Sequence, residues 1–443
     1  MNGMMIDTAA KFREGAFEGV ELSPWGYVRL QRGREGCWTS PVYSVDGVTK
    51  LVASWSADAP RGTSLEVQAR VCLESGWSSW LSWGEWSPYR DRRSLSAAEG
   101  PAAMDTDTLL VKKGAAFCVQ LRVYLRAQQK GLSPQLRLLC FSSPAGKDRD
   151  EAIPQKVLKA PSYSQSIRQP EIGWCICSAV TMTVLMNRLG ENLLPEETAH
   201  LCCDRAYGFG NWPYSAAAAG ARGFRAWAAY ASLGELRREI SDGYAVGISV
   251  RYTNDPNDGE LPYLEGTTGR TAGHLIALCG FESEGGREYA VVRDSYSPDN
   301  AGAARRYPLD QLLQAWGGVA YFVRERQPEA GYAAPGCRRG VVRPAGEGRF
   351  RLYGEGGEEL RLPPVGGRGE ACTGTLAVAL QIRGQAPSTL AACPMVYLTA
   401  EEDGSFRWSR EQIPEELRAA CGGAVLCAVC ETGGSVHAQL PMP

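Results

Sequence analysis

The chain has 443 residues, more than one hydrophobic core normally serves, so two or three domains are expected. Hydrophobic residues at 44% and charged residues at 22% exclude a disordered, collagen-like or membrane-embedded chain. The formal net charge of -2 comes from 47 basic and 49 acidic side chains with no long run of one sign, so bulk electrostatics recruits neither nucleic acid nor membrane.

The start, MNGMMIDTAAKFREGAF, has no basic stretch followed by an apolar one, and no later segment approaches the roughly 20 apolar residues of a membrane span. A soluble, cytoplasmic protein is the expectation. The odd total of 15 cysteines argues against a complete disulfide set. Cys118, Cys140 and Cys279 stand at apolar positions and read as core residues. With three histidines and no repeated zinc-ribbon spacing, neither a metal nor a cofactor is expected. The Cys427-x-x-Cys430 pair lies in the apolar run AVLCAVC, which reads as a buried strand.

Residues 20–145 alternate apolar and polar side chains, clearest from Leu65 to Val71 and from Phe117 to Leu125, which predicts a β-sandwich. Within it, Trp77, Trp80, Trp83 and Trp86 recur at every third position among serines and glycines. Such a row serves either as a platform for a glycan or protein ligand or as packing between sheets; packing is expected, because tryptophan is mostly buried. A linker is predicted at Ser142–Glu151, where turn formers and charges break the alternation.

A second domain, 160–326, opens differently. Cys177–Leu189 is rich in Val, Leu and Met, which predicts a buried helix stopped by Gly190. A helix near Ser232–Ile240 and strands near Ala245–Val250, His274–Phe281, Tyr289–Asp294 and Gly318–Arg324 follow. After Gln327 the composition turns to Gly, Pro and Arg, and short alternating strands return in a β-rich module, 335–443. The fold class read from this order is α+β.

The chemistry gathers in the middle module. A thiol attacks carbonyls as thiolate, and a helix N-terminus with a neighbouring imidazolium lowers its pKa. Cys177 opens the predicted helix, so unpaired N–H groups point toward its sulfur. Of the histidines, His200 lies in a polar helix end and His437 near the carboxyl terminus, whereas His274, after Thr271-Ala272-Gly273, begins an apolar strand. A three-residue hairpin loop, Ser283-Glu284-Gly285, would set His274 directly opposite Asp294 and on the same face; a two-residue loop would put them on opposite faces. Gln165 and Gln169 are both candidates for an oxyanion-stabilising amide. Asn211 and Trp212 sit in a Gly-rich loop suited to lining a cleft, and Gly273 borders the histidine.

Taken in order, YSQ (163–165), ICS (176–178) with its helix ending NRLG (187–190), GNWP (210–213), AGHLIALCGF (272–281), VRDSYSP (292–298) and WGGVAYFV (316–323) resemble the family-39-like cysteine peptidases. The resemblance covers about residues 160–326. It implies a papain-like fold with Cys177, His274 and Asp294 as triad and Gln165 in the oxyanion hole. The family's helix usually opens Cys-Ser-Pro-Thr-Ser or Cys-Gly-Pro-Thr-Ser; here it reads Cys177-Ser-Ala-Val-Thr181, without the proline and following threonine. Cys175, two residues earlier, is an alternative nucleophile. Members that cut double-glycine leaders are fused to membrane transporters, so that substrate is not carried over. The expected function is a cysteine hydrolase acting on a peptide or amide bond. Its alternatives are a non-catalytic binding protein on the same scaffold and an acyltransferase or ligase that uses the same acyl-enzyme.

Overall fold

The structure is a computed structural model that describes residues 3–89, 92–98, 100–144, 155–327, 338–363, 365, 374–430 and 434–443. Most of the predicted linker, residues 145–151, lies outside the described residues. Among them, no helix is long and apolar enough to cross a membrane.

The first module is two seven-stranded sheets packed on one core. It starts earlier than the expected residue 20, because Gly3–Ile6 pairs antiparallel with Gln135–Ser142. In Thr63–Leu73 inward and outward residues alternate as the sequence predicts, and Val119, Leu121, Val123 and Leu125 of the neighbouring strand are all buried. Phe117 departs from that pattern. The pairing with Tyr43–Val48 shifts register between Ala116 and Cys118, which turns Ala116 inward and leaves Phe117 exposed. The tryptophan row divides. Trp83 and Trp86 are fully buried, whereas the Arg70 guanidinium stacks on Trp77 and Trp80, and Arg122 covers Trp80 from 4.2 Å.

The second module is built on a six-stranded antiparallel sheet. Its order is Phe224–Tyr230, Trp316–Arg326, Val246–Tyr252, Thr271–Glu284, Arg287–Arg293 and Ala304–Pro308. The helix Cys177–Arg188 lies against this sheet, and every residue from Ser178 to Asn187 is buried. Its polar residues are all partnered. Ser178 bonds Ser215 and Tyr321, Thr181 donates to the Leu275 carbonyl at 2.9 Å, and Asn187 bonds Tyr163 and Leu193. Gly247 permits the close approach of helix and sheet, since a Cβ there would lie 3.0 Å from Thr181 Cγ2. Leu189 caps the helix, and Gly190 follows with φ 98°.

Phe224–Tyr230 would be an open edge, but the sandwich closes it. Ser54 Oγ accepts from the Ala228 N–H and donates to the Ala228 carbonyl, Ser56 does the same at Ala226, and Ser142 Oγ accepts from the Tyr230 N–H. The helix Trp212–Ala221 lies between the two modules and contributes to both cores. Its run of alanines keeps it thin, and at Gly220 a Cβ would stand 2.8 Å from Ser56 Cα.

The third module is a seven-stranded sheet whose strand Cys421–Cys430 buries Cys427 and Cys430. Leu376, Val378 and Leu380 point into its core as their alternation predicts; Leu360 and Leu362 are buried there too, but outside any strand. The module docks on the helix Pro195–Cys202, with Tyr397 Oη donating to Glu196 and His437 3.2 Å from Glu197. The fold class is α+β.

Ser54 and Ser56 are fully buried, so Ser54→Ala or Ser56→Ala leaves a buried N–H and C=O without their partner. Each substitution should cost about 1–3 kcal/mol, read as a lower urea midpoint by tryptophan fluorescence. An unchanged midpoint would show that the edge is held by other means.

Candidate active site

The hairpin that carries His274 and Asp294 is not closed as the sequence predicts. Glu284 pairs with Arg287, so the loop is the two residues Gly285 and Gly286, with φ 58° and 81°, the positive pair a tight primed turn demands. Alone, that register would put His274 and Asp294 on opposite faces. A bulge at Cys279 restores the parity: beyond it Leu278 pairs with Val292 and Ala277 with Arg293. His274 and Asp294 then share a face as diagonal rather than direct neighbours. The bulge is braced by an outside segment, because the Leu158 N–H donates to the Cys279 carbonyl and Val157 bridges Gly280. Gly280 has no room for a side chain; a Cβ there would meet the Lys156 carbonyl at 2.4 Å.

His274 is buried, and its Nε2 lies 2.7 Å from Asp294 Oδ1. Asp294 stands just past the strand end and is fully enclosed. Its Oδ2 accepts from Tyr307 Oη at 2.6 Å and Tyr252 Oη at 3.2 Å, and its Oδ1 from the Tyr296 N–H at 2.9 Å. Burial alone would raise this carboxyl, but the His274 charge and these hydrogen bonds outweigh it and hold its pKa low.

Across the cleft, Cys177 is the first residue of its helix, and Ile176 supplies no side-chain cap, so the first N–H groups remain open to the site. Burial pushes its thiol up, yet the hydrogen bond and charge of His274, with the Leu275 and Ser178 amides, bring it below the ordinary value. Burial likewise works against the His274 cation. Asp294 and Cys177 overcome that penalty and raise its pKa to about 10. Sulfur and imidazole thus stabilise one another as thiolate and imidazolium.

Gln165 borders the same cleft. Its N–H donates to the Ser295 carbonyl and its Oε1 accepts from Ser295 Oγ at 2.8 Å, which leaves the amide nitrogen as the end to turn elsewhere. Gln169 does not line the cleft; its amide nitrogen donates to Glu171 and its backbone N–H to Glu196. Cys175 does line it, at the end of the 3-10 turn Gly173–Cys175, with its Sγ donating to the Ile172 carbonyl at 3.2 Å.

Of the three predicted lining residues, Trp212 and Gly273 face a cleft of about 520 Å³ and Asn211 does not. Asn211 is fully buried. Its Oδ1 accepts from the Tyr214 N–H and its Nδ2 donates to Asp204, so it caps the helix that begins with Trp212. Trp174, Tyr207, Phe209 and Tyr296 complete an aromatic rim. Sequence reasoning missed Tyr252, Tyr307, Ser295 and this rim. The two tyrosines at strand ends carry no signal beyond an apolar body with a polar tip. Among the described residues no three metal-ligating side chains converge.

No curated protein matches the chain. Solved structures of similar shape include the peptidase domain of Streptococcus ComA, a bi-functional ABC transporter involved in a quorum sensing pathway. It is 14% identical at TM-score 0.25, covering 39% of this chain and 98% of that one. Digestive procathepsin L 3 of the Tenebrio molitor larval midgut is 10% identical at TM-score 0.30, covering 41% and 72%. A structure from work on the mite allergens Blo t 1 and Der p 1 is 13% identical at TM-score 0.27, covering 40% and 74%. Two family models match consecutive stretches: the Peptidase C39 N-terminal domain over residues 5–143 and the Peptidase_C39 like family over residues 157–321. The central module thus matches the Peptidase_C39 like family, and the module before it matches the Peptidase C39 N-terminal domain.

Proposed function

We propose that the chain is a cysteine hydrolase that cleaves a peptide or amide bond through an acyl-thioester intermediate. What carries this reading is the position of His274, bonded to Asp294 through Nε2 and lining one cleft with Cys177, whose pKa it lowers. The Cys177 thiolate attacks the carbonyl carbon, a C–S bond forms, and the carbonyl electron pair moves onto oxygen. Gln165 and the open N–H groups at the helix start are the donors for that oxyanion. Collapse expels the amine, which takes the His274 proton; His274 then removes a proton from water, whose attack releases the acid. Asp294, held by two phenols, keeps the imidazole oriented and charged.

On this reading the catalytic module spans about 160–326 in a papain-like fold, between the β-sandwich, expected at 20–145 but beginning with the strand Gly3–Ile6, and a β-rich accessory module (335–443). The sandwich supports the cleft wall: the buried Asp107 carboxylate accepts from the Trp212 N–H, and Tyr214 Oη donates to the Trp83 carbonyl. A glycan or protein ligand on the sandwich would have to use Trp77 and Trp80, since Trp83 and Trp86 are enclosed.

Cys177→Ala should abolish labelling by a thiol-reactive acyl probe, and Cys175→Ala should retain it; the reverse pattern would reassign the nucleophile. Loss of the amide in Gln165→Ala should slow acylation about 10²–10³-fold while leaving simple alkylation of Cys177 unchanged, and equal loss in both assays would remove Gln165 from the oxyanion site. A wild-type protein that never reacts would leave a binding protein on the same scaffold.

The pH dependence has a definite sign. Cys177 is lowered, so alkylation should begin below about 8.5, where an ordinary thiol ionises. His274 is raised, so its contribution to stability is complete below the ordinary histidine range and is lost as pH rises through about 10. Asp294→Asn removes the charge that holds the imidazolium. The onset of alkylation should then move to higher pH, and the alkaline loss of melting temperature to lower pH. Profiles identical to the wild type would contradict the coupling.

A further inference from the structure

Among the described residues two cysteines line the cleft, Cys175 and Cys177. We propose that Cys175 is the resolving thiol of a reversible oxidation site, capturing the oxidised Cys177 as an intramolecular disulfide that closes the active site until a thiol reductant reopens it. This rests on Cys177 being the reactive thiol of the proposed hydrolase.

The backbone meets the Cα requirement of a bridge between the pair. Ile176, the one residue between them, has φ -101° and ψ 23°, a bent conformation that ends the 3-10 turn Gly173–Cys175 and starts the helix at Cys177. A bend of that kind sets the two flanking Cα atoms well inside the ~4.4–6.8 Å interval a disulfide requires, whereas an extended residue would leave them at its upper limit. Both side chains border the same space, and the Cys175 Sγ donates to a carbonyl of its own turn, Ile172.

Four buried thiols contrast with Cys177. Cys140 and Cys202 are pushed up to about 12 and Cys279 and Cys430 to about 11, each chiefly by burial, so they present little thiolate to an oxidant. Cys177 is lowered, partly buried and open to the cleft. Peroxide is therefore directed to it.

The chemistry balances with a hydroperoxide as oxidant. The Cys177 thiolate attacks one peroxide oxygen, the O–O bond breaks, and hydroxide leaves as the sulfur becomes a sulfenic acid. The Cys175 sulfur then attacks that sulfur, its proton and the sulfenic hydroxyl depart as water, and the S–S bond forms. Without a second thiol at hand, further peroxide carries the sulfenic acid to the sulfinic state, which thiol reductants do not reverse. A bridge closing so small a ring is easily reduced, as a protective cap must be.

The test uses the full chain, wild type and Cys175→Ser, treated with hydrogen peroxide, with remaining thiols then blocked by N-ethylmaleimide. Two readouts follow: the mass of the peptide holding residues 175 and 177, and labelling of Cys177 by a chloroacetamide probe before oxidation and after dithiothreitol. The wild-type peptide should lose two hydrogens, take up no maleimide and regain its labelling on reduction. Cys175→Ser should gain two oxygens at Cys177 and regain about tenfold less. Equal recovery in both proteins, or a wild-type peptide that gains oxygens without bridging, overturns the proposal while leaving the nucleophile in place. Reduced wild-type protein that takes no probe at Cys177 overturns the nucleophile and the proposal together.

Discussion

Burial opposes every charge in the cleft, and the site holds charge nonetheless because three groups are arranged to share it. The imidazole of His274 bonds a carboxylate and shares its cleft with the Cys177 sulfur, and neither anion nor cation would survive there alone. The Asp294 carboxylate is the anchor. Two phenols, a backbone amide and the imidazole saturate its oxygens, so it stays ionised without water. Removing one partner would leave a buried charge uncompensated, which is why the geometry around it has to be fixed by the fold.

That fixing is distributed over all three modules. Thr181 ties the cysteine helix to the carbonyl next to His274, and the bulge at Cys279 puts the histidine on the same face as the aspartate. The sandwich closes the far edge of the sheet with serine hydroxyls and, through Asp107, braces the helix whose first residue is Trp212. The carboxy-terminal sheet covers the helix Pro195–Cys202, which packs against the cysteine helix from behind. The flanking modules thus bear directly on the shape of the cleft.

The elements that carry the proposed chemistry were legible as elements in the sequence because they lie at changes of pattern: Cys177 where an apolar helix starts, His274 where a polar loop enters an apolar strand. Their facing was harder to read. The hairpin loop is one residue shorter than expected and a bulge one turn of pleat away compensates, so a correct facing follows from an incorrect register; nothing local in LIALCGFE marks Cys279 as the extra residue. The segment PEETAHLC reads as a solvated helix end, yet Glu196, Glu197 and His200 are all buried, and His200 is pushed down to about 3 by that burial. Its polarity is explained by a sheet two hundred residues downstream, with Tyr397 and His437 as partners for the two carboxylates. Asn211 misled in the same way, a polar loop residue whose amide is spent on a helix cap and on Asp204. Contacts of this range leave no trace in periodicity or spacing.

With only three histidines in the chain, nitrogen NMR of the imidazoles can follow each one across pH. In the resting wild-type protein His274 should remain doubly protonated through neutrality and titrate near pH 10, and in Cys177→Ala its midpoint should fall because the thiolate no longer holds the proton. An imidazole that titrates in the ordinary range near 6.5, indifferent to the loss of Cys177, would contradict the shared charge on which the catalytic reading stands.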